Sequence, residues 1–186
     1  MNLGLLFAIV LLIAGLFWWL VPILTGLPWR PTSAPRTRRA LEMAKARQGE
    51  LFFDLGAGDG RVLLLAAREF GLSSVGVEIS PLHCLLGLLF ARLAGMQEQV
   101  KMVCADFYKA DLGEADIVFA YMTSAQVARL KPFLAGCLKP GARLVTISFD
   151  MDGWEPREVD RDLLIFLYEM PPTPGSLESY LSKNLD

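Results

Sequence analysis

Eight residues, Asp54-Leu55-Gly56-Ala57-Gly58-Asp59-Gly60-Arg61, restrict the fold of this chain more than any other segment. They follow a short apolar run, residues 50–55, and open an amphipathic stretch, residues 61–70, which stops at Gly71. A strand that passes through alternate glycines straight into a helix is a βα turn in which backbone can approach a ligand closely. The next apolar run, residues 74–79, ends with Glu78, 20 residues beyond Gly58. Strand, glycine turn, helix, strand and acid in that order form the general nucleotide-binding arrangement, in which the carboxylate takes the ribose hydroxyls.

The rest of the chain continues the alternation. Helices are expected over 37–47, 81–95 and 124–138, with Ser80 as N-cap and Pro81 at the first helical position of the second. Strands are expected over 100–104, 116–121 and 142–149, with 155–160 and 163–169 as a closing pair. This periodicity predicts an α/β fold, a doubly wound and mostly parallel sheet with helices on both faces. Ligands of such sheets lie beyond the carboxyl ends of the strands. The segment from Pro171 is rich in Pro, Ser and Gly and reads as a flexible tail, residues 171–186.

The chemistry of the turn selects the ligand. A dinucleotide fingerprint wants Gly or Ala where Arg61 stands, and a pyrophosphate there would face Asp54 and Asp59. S-adenosylmethionine carries no phosphate. Its ammonium and sulfonium suit the carboxylates instead. Asp106, after the third strand, is placed to accept the adenine amino group, and Phe107 to pack on the ring; the alternative reading of Asp106 is a loop N-cap.

Charge is distributed unevenly. Residues 1–29 contain no charged side chain, and 3–24 form one apolar run. As a helix it would rise about 33 Å, enough for a hydrocarbon core of about 30 Å. Trp18, Trp19 and Trp29 fall where an interfacial aromatic belt would lie. A transmembrane anchor is therefore expected over 1–29, and a basic linker with a first amphipathic helix over 30–47. That linker carries Arg30, Arg36, Arg38, Arg39, Lys45 and Arg47 against Glu42. The positive-inside rule then puts the N-terminus outside and the following domain, residues 48–170, in the cytoplasm. Residues 48–186 hold 12 basic and 19 acidic side chains, a poor balance for a nucleic-acid enzyme. Three scattered cysteines and the single His83 argue against a disulfide framework and against a metal site. His83 reads as a packing residue.

The run Asp54 to Arg61, Gly76-Val77-Glu78, Asp106-Phe107 and Leu138-Lys139-Pro140-Gly141-Ala142 resembles the class I, seven-strand S-adenosylmethionine-dependent methyltransferases. The uncharged N-terminal helix, Pro31-Thr32-Ser33 just after it, the compact glycine loop and Ser148-Phe149 leading to Trp154 are similar to the membrane-anchored protein lysine methyltransferases. Eukaryotic members of that family act on the ATP synthase c-subunit and the adenine nucleotide translocase. The resemblance implies a Rossmann-like seven-strand sheet behind one transmembrane helix. It implies Thr32 or Ser33 closing over the cofactor, with Asp54, Gly56, Gly58, Asp59, Glu78, Asp106 and Phe107 forming the rest of the site. It also implies a lysine acceptor on a membrane or membrane-associated protein.

Enzymes that methylate planar amino groups of adenine or glutamine show Asn/Asp-Pro-Pro-Tyr/Phe after the fourth strand. This chain has Ala120-Tyr121-Met122-Thr123, which disfavours those acceptors. Tyr121 is the candidate catalytic residue, facing the acceptor, or else a core aromatic at a strand end. Asp150, Asp152, Glu155, Glu158, Asp160 and Asp162 form an acidic rim, fitted either to steer a cationic lysine or simply to be solvated. A small-molecule or lipid methyltransferase at the bilayer surface is the alternative function.

Overall fold

The structure, a computed structural model, describes residues 2–24, 31–123 and 126–184, and within the first helix the side chains of residues up to 13 and Gly15. The chain divides into two compact units, Met1–Pro31 and Thr32–Asp186.

The first unit carries α1, Leu3–Leu24, whose 22 residues include no charged side chain. Leu3, Phe7, Leu11 and Leu12 are exposed on it. Among the described residues, no helix is long and apolar enough to cross a membrane. The part of α1 whose side chains are described, residues 3–13, would rise only about 17 Å. The expected 22-residue span therefore runs beyond the described side chains, and the Trp18, Trp19 and Trp29 belt lies outside them altogether.

The second unit is built on a seven-stranded sheet of order β3-β2-β1-β4-β5-β7-β6. Its strands are β1 Leu51–Leu55, β2 Ser73–Glu78, β3 Val100–Cys104, β4 Ile117–Tyr121, β5 Arg143–Ile147, β6 Glu158–Asp160 and β7 Ile165–Glu169. The first five run parallel; β7 is antiparallel to both β5 and β6, which makes the expected closing pair. The helices are α2 Ala34–Met43, α3 Arg61–Phe70, α4 Pro81–Leu93, α5 Val127–Cys137 and α6 Leu177–Lys183.

Alternation of side chains along the strands makes two cores. Phe52, Ile117, Phe119, Val145 and Ile147 face α2 and α3, meeting Leu41 and Leu63. Phe53, Leu55, Val118, Leu144 and Phe166 face the other way, toward Leu130 and Leu134 of α5 and toward Trp154. The central strands are buried on both faces, hence their almost unbroken apolar sequence.

Local signals fix most boundaries. The αL glycine Gly71 stops α3, and Ser80 caps α4 with its Oγ accepting from the His83 amide at 3.5 Å. Helix α2 begins and ends earlier than expected, at Ala34 and Met43. Pro35 sits in its first turn, where the missing amide costs nothing, and Lys45 turns to a positive φ after it. The segment after Pro171 is not without structure. It carries α6, started by a reciprocal cap in which Ser176 Oγ accepts from the Ser179 amide and Ser179 Oγ from the Ser176 amide.

Candidate cofactor and acceptor site

The carboxyl ends of the parallel strands β1, β2, β3 and β4 lie along one edge of the sheet, which bounds the candidate crevice. Beyond β1 the chain turns sharply, and the Gly56 and Ala57 amides donate to Val77 O of β2 at 2.8 and 3.2 Å. Gly56, Gly58 and Gly60 all take positive φ, at 81°, 54° and 76°. A Cβ built on Gly56 would meet nothing within 4 Å, so the turn leaves an open cradle against bare backbone. Beneath it the space is filled. A Cβ on Gly76 would lie 2.5 Å from Leu63 Cδ1 and 2.6 Å from Ala57 Cβ. The glycine before Val77-Glu78 is thus required for α3 and the turn to sit on β2.

Glu78 locks the turn from the neighbouring strand. Its Oε2 accepts from the Gly58 amide at 2.9 Å and its Oε1 from the Ser80 amide at 2.8 Å. Each oxygen retains a lone pair for a further donor, such as a ribose hydroxyl. Asp54 is buried near the end of β1, on the face opposite Phe53 and Leu55. Burial, then the nearby carboxylates Glu78 and Asp59, push its carboxyl up to about 8. A cation brought into the crevice would relieve that.

Asp59 behaves differently from the sequence expectation. Arg61 forks onto it, Nε to Oδ1 at 2.9 Å and Nη2 to Oδ2 at 2.6 Å. Burial pulls the Asp59 carboxyl up, but the Arg61 bonds and charge outweigh it and hold the group below the usual carboxylate range. Much of its charge is therefore already balanced by Arg61, whereas Asp54 keeps its proton until a cation arrives to replace it.

Register places the remaining candidates. Glu78 pairs with Cys104, and Ala105 N donates to Glu78 O at 3.0 Å, so Asp106 leaves β3 directly beside the Glu78 strand. Asp106 caps the 3-10 turn Phe107–Lys109, its Oδ1 accepting from the Tyr108 amide at 3.1 Å. The cap reading of Asp106 is thus observed, with its Oδ1 on the Tyr108 amide, and the residue stands at the carboxyl end of β3. The Phe107 ring lies 4.4 Å from that of Tyr108, whose own face is covered by Arg129 at 3.9 Å. Ala120 pairs with Leu55, which puts Tyr121 beside Gly56 across the sheet. Thr32 is buried two residues ahead of α2.

Arg36 joins the site without any sequence signal to announce it. Its guanidinium carbon lies 5.8 Å from the Tyr121 ring centroid, and its Nε donates to Leu163 O at 2.8 Å. Tyr121, half-buried against the α2–α3 core, is thereby tied to α2 and to the turn before β7. Three of the six acids of the rim are held in ion pairs. Asp160 and Glu158 hold Arg39 at 2.8 and 3.3 Å, and Glu155 holds Lys183 at 2.9 Å. Asp150, just after β5, Asp152 and Asp162 stay exposed. Two basic residues of the linker are held in ion pairs, Arg39 as above and Arg38 on Glu69 at 2.6 Å.

Leu138 to Ala142 proves structural. Lys139 pairs with Asp116 at 2.7 Å and the Gly141 amide donates to Met170 O at 2.7 Å, at the amino ends of β4 and β5, away from the crevice. Two clefts of about 530 and 570 Å³ lie elsewhere on the domain, and neither is lined by Asp54, Glu78, Asp106 or Tyr121. Among the described residues, no cluster of His, Cys, Asp and Glu is suited to a metal. Cys84 Sγ donates to Glu78 O at 3.3 Å, and burial, with Cys104 beside it, pushes its thiol up to about 12, so it is no nucleophile.

An open glycine turn, a strand-end carboxylate that locks it and a buried acid at the carboxyl edge of a 3-2-1-4-5-7-6 sheet define an S-adenosylmethionine-dependent methyltransferase. Within that class the chain belongs to the ANTKMT methyltransferase domain family, whose model matches residues 54–158. It is 37% identical over 133 residues to a protein-lysine N-methyltransferase of Saccharolobus islandicus, covering 71% of this chain and 83% of that protein. It is 31% identical over 137 residues to the adenine nucleotide translocase lysine N-methyltransferase of Mus musculus and 28% over 151 residues to the lysine N-methyltransferase of the mouse ATP synthase c-subunit. Those alignments cover 73% and 80% of this chain but only 59% and 60% of the two mouse proteins. Among solved structures, an RNA methyltransferase from Salinibacter ruber bound to S-adenosyl-L-homocysteine superposes with a TM-score of 0.74 at 34% identity, covering 76% of this chain and 94% of that one.

Proposed function

We propose that this protein transfers methyl groups from S-adenosylmethionine to a lysine amine of a membrane or membrane-associated protein. The observation that carries the reading is the combination, in one chain, of the Asp54–Glu78 cofactor crevice with a fourth strand that ends Ala120-Tyr121-Met122-Thr123 in place of an amide- or base-binding motif. The similarity to lysine N-methyltransferases supports it.

S-adenosylmethionine supplies the methyl on a sulfonium, an excellent leaving group. The protein's task is accordingly alignment more than bond polarisation. Glu78 holds the ribose while Gly56 and Gly58 let it lie on backbone. Asp54 receives positive charge in an apolar setting, which orients the methionine end toward Tyr121. Asp106 and Phe107 hold the adenine, and Thr32 closes from the α2 side. An acceptor lysine, with a free pKa of about 10.4, must arrive without its proton. Desolvation between the Tyr121 ring and the sheet edge, together with the charge of Arg36 close by, lowers that pKa and favours the neutral amine. No dedicated base is required. Asp150, Asp152 and Asp162, the exposed part of the rim, attract the lysine from solution.

The membrane element of the proposal rests on α1, an uncharged 22-residue helix with exposed leucines, and on the basic residues that follow it. Their charge favours an N-terminus outside and a domain in the cytoplasm. A second reading, an RNA acceptor, is suggested by the name of the Salinibacter protein. The excess of acidic over basic residues in 48–186 disfavours it. The test is incubation of the purified protein with methyl-labelled S-adenosylmethionine and its own membrane fraction. Label in protein, recovered as methyllysine, is expected. Label confined to lipid or a small amine would give the function to the bilayer-surface alternative, and label in RNA to the second reading.

A further inference from the structure

Helix α4 packs on β3 through a narrow stripe. Cys84, Gly87 and Ala91 are buried, and Gly87 lies against Met102. Most of the rest faces out and is apolar. Leu85 is 62% exposed and Leu93 76%, with Ile79 just ahead of the helix at 69%, and Leu82, Leu88, Leu89 and Phe90 are exposed as well. From Pro81 to Ala91 the helix contains no Asp, Glu, Lys or Arg; Arg92 in the last turn is the first. A helix apolar all round is normally buried on all sides, and a contiguous exposed patch of this kind marks an interaction surface.

We propose that the outer face of α4 inserts shallowly into a lipid surface and sets the cofactor crevice at the level of the headgroups. This rests on the reading that the chain works at a membrane. Three features select lipid over a keyed protein partner. The face is a row of leucines with polar side chains only near its two ends, His83 in the first turn and Arg92 in the last, and none between them to fix register. Arg92, at the end of the row, has a stem long enough to lie along the apolar face with its charge in the headgroups. Finally, the residues between Leu24 of α1 and Thr32 reach at most about 30 Å even when fully extended, which confines the domain to the bilayer's neighbourhood wherever α1 is embedded. Function follows from connectivity. Ser80, the α4 cap, is only two residues past Glu78, so seating α4 in the interface brings the Glu78 carboxylate, at the carboxyl edge of the sheet, to the level of the headgroups.

The test uses the full chain in phosphatidylcholine–phosphatidylglycerol vesicles that contain a phospholipid with a photoactivatable acyl chain, with cross-links mapped by mass spectrometry. Label is expected in α1 and, separately, within residues 79–93. Replacing Leu85 and Leu89 together by glutamate should cut the α4 label roughly tenfold while leaving the α1 label and cofactor affinity unchanged. Label in α1 alone would overturn the proposal while leaving membrane attachment intact. Label in neither would overturn the membrane reading itself. A cross-link from α4 to a second copy or to α1 in place of lipid would assign the face to protein packing and also overturn the proposal.

Discussion

At the scale of single residues, the proposed function divides the work among Asp54, Glu78 and Tyr121, and each division can be measured. Glu78 accepts from two backbone amides and is the ribose ligand in this account. Glu78→Ala removes those acceptors and should weaken S-adenosylmethionine binding by about 1–3 kcal/mol per lost bond, at least tenfold, as read by calorimetry. Asp54 titrates in the opposite sense to an ordinary paired carboxylate. Burial raises its folded pKa to about 8 from 3.8, so the folded protein holds this proton more tightly than the unfolded chain does. The resulting stability is complete below about pH 4 and is lost as the pH rises toward 8. The melting temperature of the cofactor-free protein should therefore fall with pH across that window more steeply than that of Asp54→Asn. Cofactor binding near pH 7 should release a proton, visible as a dependence of the calorimetric enthalpy on the buffer's ionisation heat. Equal pH profiles for the two proteins would remove Asp54 from this role. Tyr121→Ala should lower turnover far more than it weakens cofactor binding, because the ring lies at the β4 end beside Arg36 and not along the adenosine.

At the scale of elements, the turn from β1 to α3 is legible in the sequence because its signals are local. Glycine spacing, the acid 20 residues on and the Gly71 stop all act through nearby backbone. Gly76 shows how close the packing is. Gly76→Ala would place a Cβ within 3 Å of Leu63, Ala57 and Met102 and should cost about 1–3 kcal/mol in urea unfolding, with a matching loss of cofactor affinity because the turn shifts. Contacts between distant segments are hidden from any reading of the sequence. Arg36 meets Tyr121 and Leu163, and Arg39 meets Asp160, across stretches of chain that no spacing rule connects. Asp59 and Arg61 stand two apart, yet one reads as a ligand acid and the other as a misfit, because nothing in the sequence shows that each neutralises the other. The Pro, Ser and Gly around α6 mask it, although its Ser176–Ser179 cap is visible once the structure is known. The exposure of α4 is equally hidden, because periodicity cannot tell what covers a helix.

At the scale of the whole molecule, the chain is a short catalytic unit, Thr32–Asp186, preceded by an uncharged helix. In this account the two have separable jobs. A protein lacking residues 1–28 should keep its S-adenosylmethionine affinity within about twofold, since none of the cofactor residues lies there, and should lose most of its transfer to membrane proteins as the effective concentration of those acceptors falls. Methylation of a soluble lysine peptide should be little changed. Loss of cofactor binding on truncation would instead make the N-terminal segment part of the site. The central claim, that a lysine close to the bilayer is the acceptor, is tested most directly by comparing methyllysine in the membrane proteins of cells with and without this gene by mass spectrometry. At least one lysine flanking a membrane span should lose its methyl groups in the deletion strain and regain them on complementation with the wild-type chain but not with Glu78→Ala. An unchanged set of methyllysines, with a methylated lipid or small amine missing in its place, would contradict the account.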